Sequence, residues 1–527
     1  MARSIPEPHD EGVIRSGRLS SPCSKSSGKW ILTATILGSS LAFIDGTVVN
    51  VALPSLQKDL KATVVGLQWV IESYALLLAA LLLVGGSMGD RYGRRRIFVI
   101  GVAVFASASV WCGFASTIGQ LVAARAVQGM GAALLIPGSL AIISNSFSEE
   151  DRGRAIGTWS GFSAITAAIG PLLGGWLVEA VSWRAVFFIN IPIAILAITI
   201  SFAYVPESSN SDKGRLDWLG GILATLGLGV LVYGLIESSS RGLTHPTVLA
   251  ALITGIVVLS LFTFIEARSQ DPMLPLTLFR SQTFAGANLL TFLLYGALSG
   301  TLFFLPLNLI QVQRYSPTAA GASLLPLILI ISLLSRWSGA LVPKYGAKIP
   351  LVVGPLIAAA GFSLFVLPGV GGSYWTTFFP AVVVLGVGMA VSVAPLTTTV
   401  MSSVAAGRAG VASGVNNAVS RAAGLLAIAV FGIVIFSVFD ISLSRRLASV
   451  DLPPLARQSL DLQRNRLAGI ELAESIPART RELLVDAIDR AFIDGFRCIM
   501  LTGALLALSG ALTTLLMIRR NPEPTIR

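Results

Sequence analysis

Apolar residues along this chain gather in runs of about 18 to 25, each closed by a short polar or glycine-rich break. A helix rising ~1.5 Å per residue needs about that length to cross a hydrocarbon layer of roughly 30 Å. Fourteen spans are predicted: 30–50, 69–88, 97–116, 119–141, 155–179, 185–204, 216–236, 247–266, 284–307, 319–342, 349–368, 376–399, 411–437 and 496–518. The pattern is that of an all-α integral membrane protein. Composition agrees: 54% of residues are hydrophobic and 12% are charged, against roughly 25% charged in a soluble domain.

Charge changes the picture by giving the spans an orientation. An even number of spans puts both termini on one side. With the N-terminus cytoplasmic, the inside segments hold 21 Lys and Arg and the short outside loops hold 5, the asymmetry expected of a multi-pass protein of the bacterial cytoplasmic membrane. The net charge of +11 is therefore a topology signal, and no nucleic-acid partner is expected. Residues 1–29 mix acids, bases, Pro, Ser and Gly and read as a cytoplasmic polar tail with no signal-peptide core; 519–527 form a second cytoplasmic tail. The long extracellular loop 438–495 carries charges of both signs. Within it Ser475 is placed to cap a helix, Pro477 falls in its first turn, and Leu484, Ile488 and Phe492 recur every four residues, predicting an amphipathic helix over the outer mouth; the alternative is a solvated connector.

The chain repeats itself. Gly86-Ser-Met-Gly-Asp-Arg-Tyr-Gly-Arg-Arg-Arg96 after span 2 returns 253 positions later as Gly339-Ala-Leu-Val-Pro-Lys-Tyr-Gly-Ala-Lys348 after span 10. Gly161 and Gly414 share that offset, and Ile44-Asp45-Gly46-Thr47 matches Leu298-Ser299-Gly300-Thr301 at one residue more. Such repeats mark transporters built from two halves around a central site. The division predicted is a first six-helix half at 30–204, an inserted helix pair with linkers at 205–283, and a second six-helix half at 284–518.

These motifs resemble those of a known family. The loop G-x-x-x-D-R-x-G-R-R-R is similar to a signature of the major facilitator superfamily. LAFIDGTVVNVALPSL in span 1, LVAARAVQGMGAALLIPGSL in span 4, AAIGPLLGGWL in span 5 and WRAVFFINIP entering span 6 resemble those of its 14-helix drug:proton antiporters, the EmrB/QacA type. The resemblance covers nearly the whole chain outside the first tail. It implies the major facilitator fold, with two pseudo-symmetric six-helix halves plus two inserted helices. It also implies a conformational latch on the cytoplasmic side at Gly86, Asp90, Arg91, Gly93 and Arg94, with Arg94 and the start of span 13, near Arg408 and Gly410, as partners of Asp90. On the residues alone, Gly86 and Gly89 permit close helix approach and Gly93 a tight turn, while the arginines could be only a positive-inside anchor. The second copy has Pro343 in place of the acid, so the latch is expected to be asymmetric.

Ionisable side chains within spans cost at least about 2.5–3.5 kcal/mol each, which makes them functional candidates. Asp45 lies roughly 22 Å up span 1, Glu72 one turn below the outer start of span 2, and Arg125 about 9 Å below the outer start of span 4. Their similar depth predicts one shared polar site for proton coupling: a buried carboxylate beside a cation that takes up and releases a proton as access alternates. The resemblance implies the same role for Asp45 and Arg125; the plainer reading is a structural acid and its partner. His9 and His245 lie outside the spans, so no histidine relay is available. Arg421, near the middle of span 13, either pairs with an acid or lines the cavity; Arg336 reads as an interfacial anchor. Asn50, Tyr74, Gln128 and Arg421 are the candidate cavity residues. Phe43, Trp69 and Trp159, with Tyr74, could face a lipophilic or cationic substrate, though packing explains each equally. Gly170, Pro171, Gly174 and Gly175 bend span 5 and let it pack closely, and the resemblance makes them an antiporter motif.

No G-x-x-x-x-G-K-[ST] loop, H-E-x-x-H or G-x-S-x-G motif occurs, so neither ATP hydrolysis nor membrane-embedded catalysis is indicated. Three scattered cysteines give no metal or disulfide pattern. The expected function is proton-coupled efflux of small molecules, lipophilic or cationic, by alternating access. It needs no cofactor beyond the proton gradient, and the protein is expected to work as a monomer in membrane lipid. An importer, a transporter of one metabolite and a non-transporting sensor remain as alternatives.

Overall fold

The computed structural model describes residues 25–209, 217–269, 272, 274–404, 409–448, 454–472 and 476–518. Fourteen apolar helices run in chain order: α1 Lys25–Asp59, α2 Val64–Tyr92, α3 Arg94–Phe114, α4 Ile118–Ser146, α5 Glu149–Ala180, α6 Ala185–Tyr204 with a break at Ile189, α7 Trp218–Arg241, α8 Pro246–Arg268, α9 Gln282–Leu307, α10 in two pieces (Pro317–Ser323 and Leu325–Gly339), α11 Lys348–Leu364, α12 Phe379–Ser402, α13 Ala409–Leu447 and α14 Ala478–Met517. Among the described residues, thirteen are long and apolar enough to cross a membrane, and α11 is the shorter fourteenth. Side-chain oxygens set several starts: Thr63, Thr117 and Ser148 accept from the amides of Gly66, Gln120 and Asp151.

The internal repeat is visible as packing. In the first group of six, α1 packs on α5 and α6, α2 on α4, and α3 on α4 and α6. In the second, α9 packs on α13 and α14, α10 on α12, and α11 on α12 and α14. Every pair recurs eight helices later. Glycines let the equivalent helices touch: a Cβ at Gly131 would lie 2.6 Å from the Phe105 amide nitrogen, and one at Gly361 2.5 Å from that of Leu385. The two loop motifs fold alike as well, with Gly93 at φ +109° and Gly346 at φ +75°. In each a basic side chain lies over the ring of the tyrosine that follows it, Arg91 on Tyr92 and Lys344 on Tyr345.

The two groups meet along two main seams, α5 with α10 and α2 with α13, with smaller contacts of α1 with α9 and α10. Helix α7 lies over the second seam, touching α2 and α13, while α8 packs on α7 and turns Ile253, Ile256, Val257 and Phe264 outward. The inserted pair thus covers one seam and leaves its sister bare. Hydrogen bonds between the groups gather at the end that carries the α13–α14 connection. Gln311 donates to Gln57 at 2.7 Å, Gln57 to the Arg466 carbonyl at 3.0 Å and Gln68 to the Ile428 carbonyl at 2.9 Å. We call this the cap end, and the end bearing the Arg-rich loop the basic end.

The segment predicted as a loop, 438–495, is mostly helix. α13 continues to Leu447, and the amphipathic stretch is no separate helix but the first turns of α14, which runs unbroken from Ala478 because no proline interrupts it. Leu484, Ile488 and Phe492 are buried in the core as the spacing required. Ser475 lies outside the described residues, as does the side chain of Arg336. Arg464–Asp440, Arg446–Asp494 and Arg314–Asp489 pairs at 2.6, 2.8 and 2.9 Å hold the cap to the helices beneath it.

Substituting Gly131 by Leu should destabilise the first group by about 1–3 kcal/mol through overpacking, read as a lower thermal midpoint in detergent. A midpoint equal to that of the parent protein would contradict the α3–α4 contact described here.

Candidate functional site

Four helices of the first group bring their polar side chains to one point. Asp45 comes from α1, Ser109 from α3, Arg125 and Gln128 from α4, and Asn190 from α6 just after its break; all are buried, all but Arg125 completely. Arg125 and Gln128 are three residues apart and so share a face of α4. Arg125 Nη1 forms an ion pair with Asp45 Oδ2 and donates to Gln128 Oε1 at 2.7 Å. Gln128 Nε2 donates to Asp45 Oδ1 at 2.8 Å and to Ser109 Oγ at 2.9 Å. Asn190 Nδ2 reaches Ser109 Oγ at 3.3 Å and Asp45 Oδ1 at 3.5 Å. The guanidinium is held on its remaining sides by the Val70 carbonyl, 3.1 Å from Nε, and by the Tyr74 ring, 4.3 Å from Cζ to its centroid.

An isolated buried charge would cost several kcal/mol, and the pair is tolerable because the guanidinium also bonds Gln128 and the Val70 carbonyl while the carboxylate accepts from Gln128 and Asn190. Removing charge from Asp45 by protonation would leave Arg125 as an uncompensated cation in an apolar bundle. The network is thus a place where one proton changes the energy of a helix packing.

Glu72 does not join it, contrary to the expectation of a shared site. At about 100° per residue, Glu72 points roughly 160° away from both Val70 and Tyr74 on α2, toward α7 and α13. Equal depth on two helices does not bring side chains together unless they also face each other around the helix axes. The candidate cavity residues also divide. Gln128 and Tyr74 are buried within the network and do not line an opening. Asn50 is half-buried and bonds its own helix at the Gly46 carbonyl, 3.4 Å away. Arg421 on α13 is half-buried, with no ion-pair partner among the described residues. Phe43 packs edge-on to Trp159, whose Nε1 donates to Ser39 Oγ at 3.0 Å, and Trp69 packs against Tyr233.

The basic loop is built around a residue the sequence reading missed. Glu207, just beyond α6, accepts from the amides of Arg95 and Arg96, both at 3.1 Å, capping α3 where the helix dipole favours an anion. A Cβ on Gly93 would lie 2.7 Å from this carboxylate, so position 93 needs glycine for space and for its positive φ. Asp90 pairs with Arg94 at 2.8 Å within the same loop; Arg408 lies outside the described residues, and Gly410 is in the first turn of α13. The close helix approach expected at Gly86 and Gly89 falls instead on Gly85, where a Cβ would collide with the Ala133 carbonyl; Gly86 has an ordinary contact, 3.5 Å to Pro137, and Gly89 none tighter than 4.0 Å. Arg91 is exposed.

Gly170 and Gly174 face α1 within the first group, while Pro171 and Gly175 face α10 of the second. Cβ atoms at Gly170 and Gly174 would collide with Thr47 and Val48 of α1, and one at Gly175 with the Pro317 carbonyl of α10; the Pro171 carbonyl in turn faces Gly321. Of the two network residues absent from the candidates, Ser109 gave little signal. Serine is common in membrane helices, where it bonds its own backbone as Ser109 does to Phe105 at 2.9 Å, but Asn190 in an otherwise apolar stretch was a legible polar outlier.

Two repeated six-helix groups meeting along two seams, with a buried ion pair inside one, define a membrane transporter of the alternating-access class. Residues 35–428 match the model of the Major Facilitator Superfamily, and the chain belongs to that family. It is 35% identical over 440 residues to the multidrug resistance protein Stp of Mycobacterium tuberculosis (strain CDC 1551 / Oshkosh), covering 81% of this chain and 80% of that one. To the tetracenomycin C resistance and export protein of Streptomyces glaucescens it is 31% identical over 523 residues, 98% and 96% of the two chains. To the puromycin resistance protein pur8 of Streptomyces alboniger it is 37% identical over 410 residues, 77% and 81%. Among solved structures, the fold is similar to an inward-facing, unoccupied bacterial homologue of the human lysosomal transporter Spinster, with TM-score 0.66, 18% identity and coverage of 94% and 98%. It is also similar to the inward-open xylose transporter XylE from E. coli, with TM-score 0.56, 14% identity and coverage of 94% and 97%.

Replacing Gln128 by Leu strips Asp45, Arg125 and Ser109 of one partner each. The expected loss is about 1–3 kcal/mol for the worst-satisfied group, measured as a drop in thermal midpoint; an unchanged midpoint would mean the network contributes nothing to packing.

Proposed function

We propose that the protein is a proton-coupled exporter of small molecules, working by alternating access in the bacterial cytoplasmic membrane with both termini and the basic end in the cytoplasm. The observation that carries this reading is the Asp45–Arg125–Gln128 network sealed inside the first group of helices. The relatives named for drug resistance and export support the direction of transport, and the excess of Lys and Arg at the basic end supports the orientation.

Asp45 is the proton acceptor. When its carboxylate is ionised, Arg125 is neutralised and the first group holds together. When a proton from outside neutralises Asp45, Arg125 keeps only the Gln128, Val70 and Tyr74 contacts, and the packing of α1 and α2 against α4 is no longer favoured. Val70 and Tyr74 belong to α2, which also forms a seam with α13, so the change reaches the interface between the halves. Gly170, Gly174 and Gly175 permit α1, α5 and α10 to slide there without side-chain obstruction. Substrate enters from the cytoplasmic side while the cap end is closed. Release follows opening toward the outside, with the proton returning inward. Asp90 and its loop serve as the latch on the cytoplasmic side, engaged when that side closes.

Everted vesicles energised to an acid interior test the reading. Lipophilic cations, neutral antibiotics and anionic compounds are added in turn, and proton loss from the lumen is recorded with a pH dye. The wild type should release protons with at least one class, and Asp45→Asn, expressed to the same level, with none. Equal responses would remove Asp45 as the coupling acid; silence of the wild type with all three classes would contradict proton-coupled export of such compounds.

A further inference from the structure

Glu72 has no place in the Asp45 network, yet it is wholly buried and both carboxyl oxygens lack a hydrogen-bond partner among the described residues. Its surroundings follow from its neighbours one turn away on the same face of α2. Gln68 bonds the Ile428 carbonyl of α13, and Leu76 clusters with Leu425 and Ala429 of α13 and with Val232 and Ile236 of α7. A Cβ on Gly229 would lie 3.1 Å from Leu76, and Trp69 meets Tyr233 at 6.2 Å. Glu72 therefore sits between those levels, walled by α2 of the first half, α13 of the second and the inserted α7. A carboxylate there would face apolar walls with no donor, a cost that a proton removes.

The charged groups around this junction are few. On α7, Glu237 and Arg241 pair with each other at 2.8 Å, and Tyr233 is its other titratable group near Glu72. On α13 the charge is Arg421, one turn from Leu425 on the face that meets α2, and it has no ion-pair partner among the described residues. Helices α2 and α13 run in opposite directions with Gln68 against Ile428, so along the axis Arg421 falls near the level of Leu76, about one turn from that of Glu72; in this conformation its charge acts on Tyr74, on the other face of α2, and not on Glu72. Toward the cap end, Gln68, Ser239, Ser240 and Asn465 line a small cavity that leads to within one turn of the acid. The sister seam, α5 with α10, has glycine and proline backbone contacts at its centre and no inserted helix over it.

We propose that Glu72 is a second proton-binding site, with Arg421 as its counter-cation in the opposite conformation. With the seam closed the carboxyl holds a proton delivered from the cap end past Gln68. When the halves rock, the proton leaves to water on the basic side and the carboxylate pairs with Arg421, linking the halves across the seam. Helix α7 keeps lipid and water from the carboxyl in the closed state. The inference rests on the proton-coupled reading above and adds to it a second proton per cycle, so that export of a monovalent cation would move net charge inward.

The test needs no substrate, so it can fail independently of that reading. Protein in lipid nanodiscs is titrated while the infrared absorption of protonated carboxyl groups is followed, and each variant is compared with the wild type, so that Asp45 contributes equally to both. The component lost as pH rises should be smaller by one carboxyl in Glu72→Gln, a neutral isostere of the protonated acid. In Arg421→Gln the same component should persist to higher pH, since the carboxylate has lost its partner. An identical titration with and without Glu72→Gln would show that Glu72 keeps one state throughout. A normal titration in Arg421→Gln would overturn the pairing. Either result contradicts the proposal.

Discussion

A charge inside an apolar bundle must find its opposite, and the first half of this protein is organised around that requirement. Arg125 takes Asp45 from α1, the Val70 carbonyl and Tyr74 ring from α2, and Gln128 from its own helix. Ser109 and Asn190 then satisfy what the central groups leave over. Because these partners come from different helices, the pair fixes how the helices meet. A proton on the carboxylate would weaken that fixation, and in the mechanism proposed above this turns a local acid–base event into a global conformational one.

Helix α2 carries the consequence. One of its faces presents Val70 and Tyr74 to Arg125; the opposite face presents Gln68, Glu72 and Leu76 to the second half and to the inserted α7. A shift of α2 relative to α4 must therefore alter the seam with α13. The inserted helices gain a physical meaning from this placement. They cover the seam that holds a buried acid and leave bare the seam that is closed by glycine and proline backbone contacts. The halves are pseudo-symmetric in packing and unequal in chemistry, since Ser299 stands where the first half has Asp45.

Fold was largely legible because membrane crossing imposes a length and a composition that no tertiary context overrides. The repeat was legible because Tyr92 and Gly93 return as Tyr345 and Gly346, with a positive φ at both glycines. The Asp45–Arg125 contact could be anticipated from depth and charge. What escaped depends on direction around a helix or on contacts far apart in sequence. Glu72 has the depth of Asp45 but faces the other way. Glu207 is one acid among many until its carboxylate is seen on the amides of Arg95 and Arg96. The 438–495 segment misled because charged amphipathic helix continuing out of the bilayer has the composition of a loop.

The most direct test of the central claim is a distance. Spin labels in the turn between α5 and α4 and in that between α10 and α11 report the separation of the two halves at the basic end. In the wild type the distance distribution should shift between two populations as pH falls, and in Asp45→Asn it should stay in one population across the same range. A pH-driven shift of the same size in Asp45→Asn would show that the Asp45–Arg125 pair does not govern the packing of the halves.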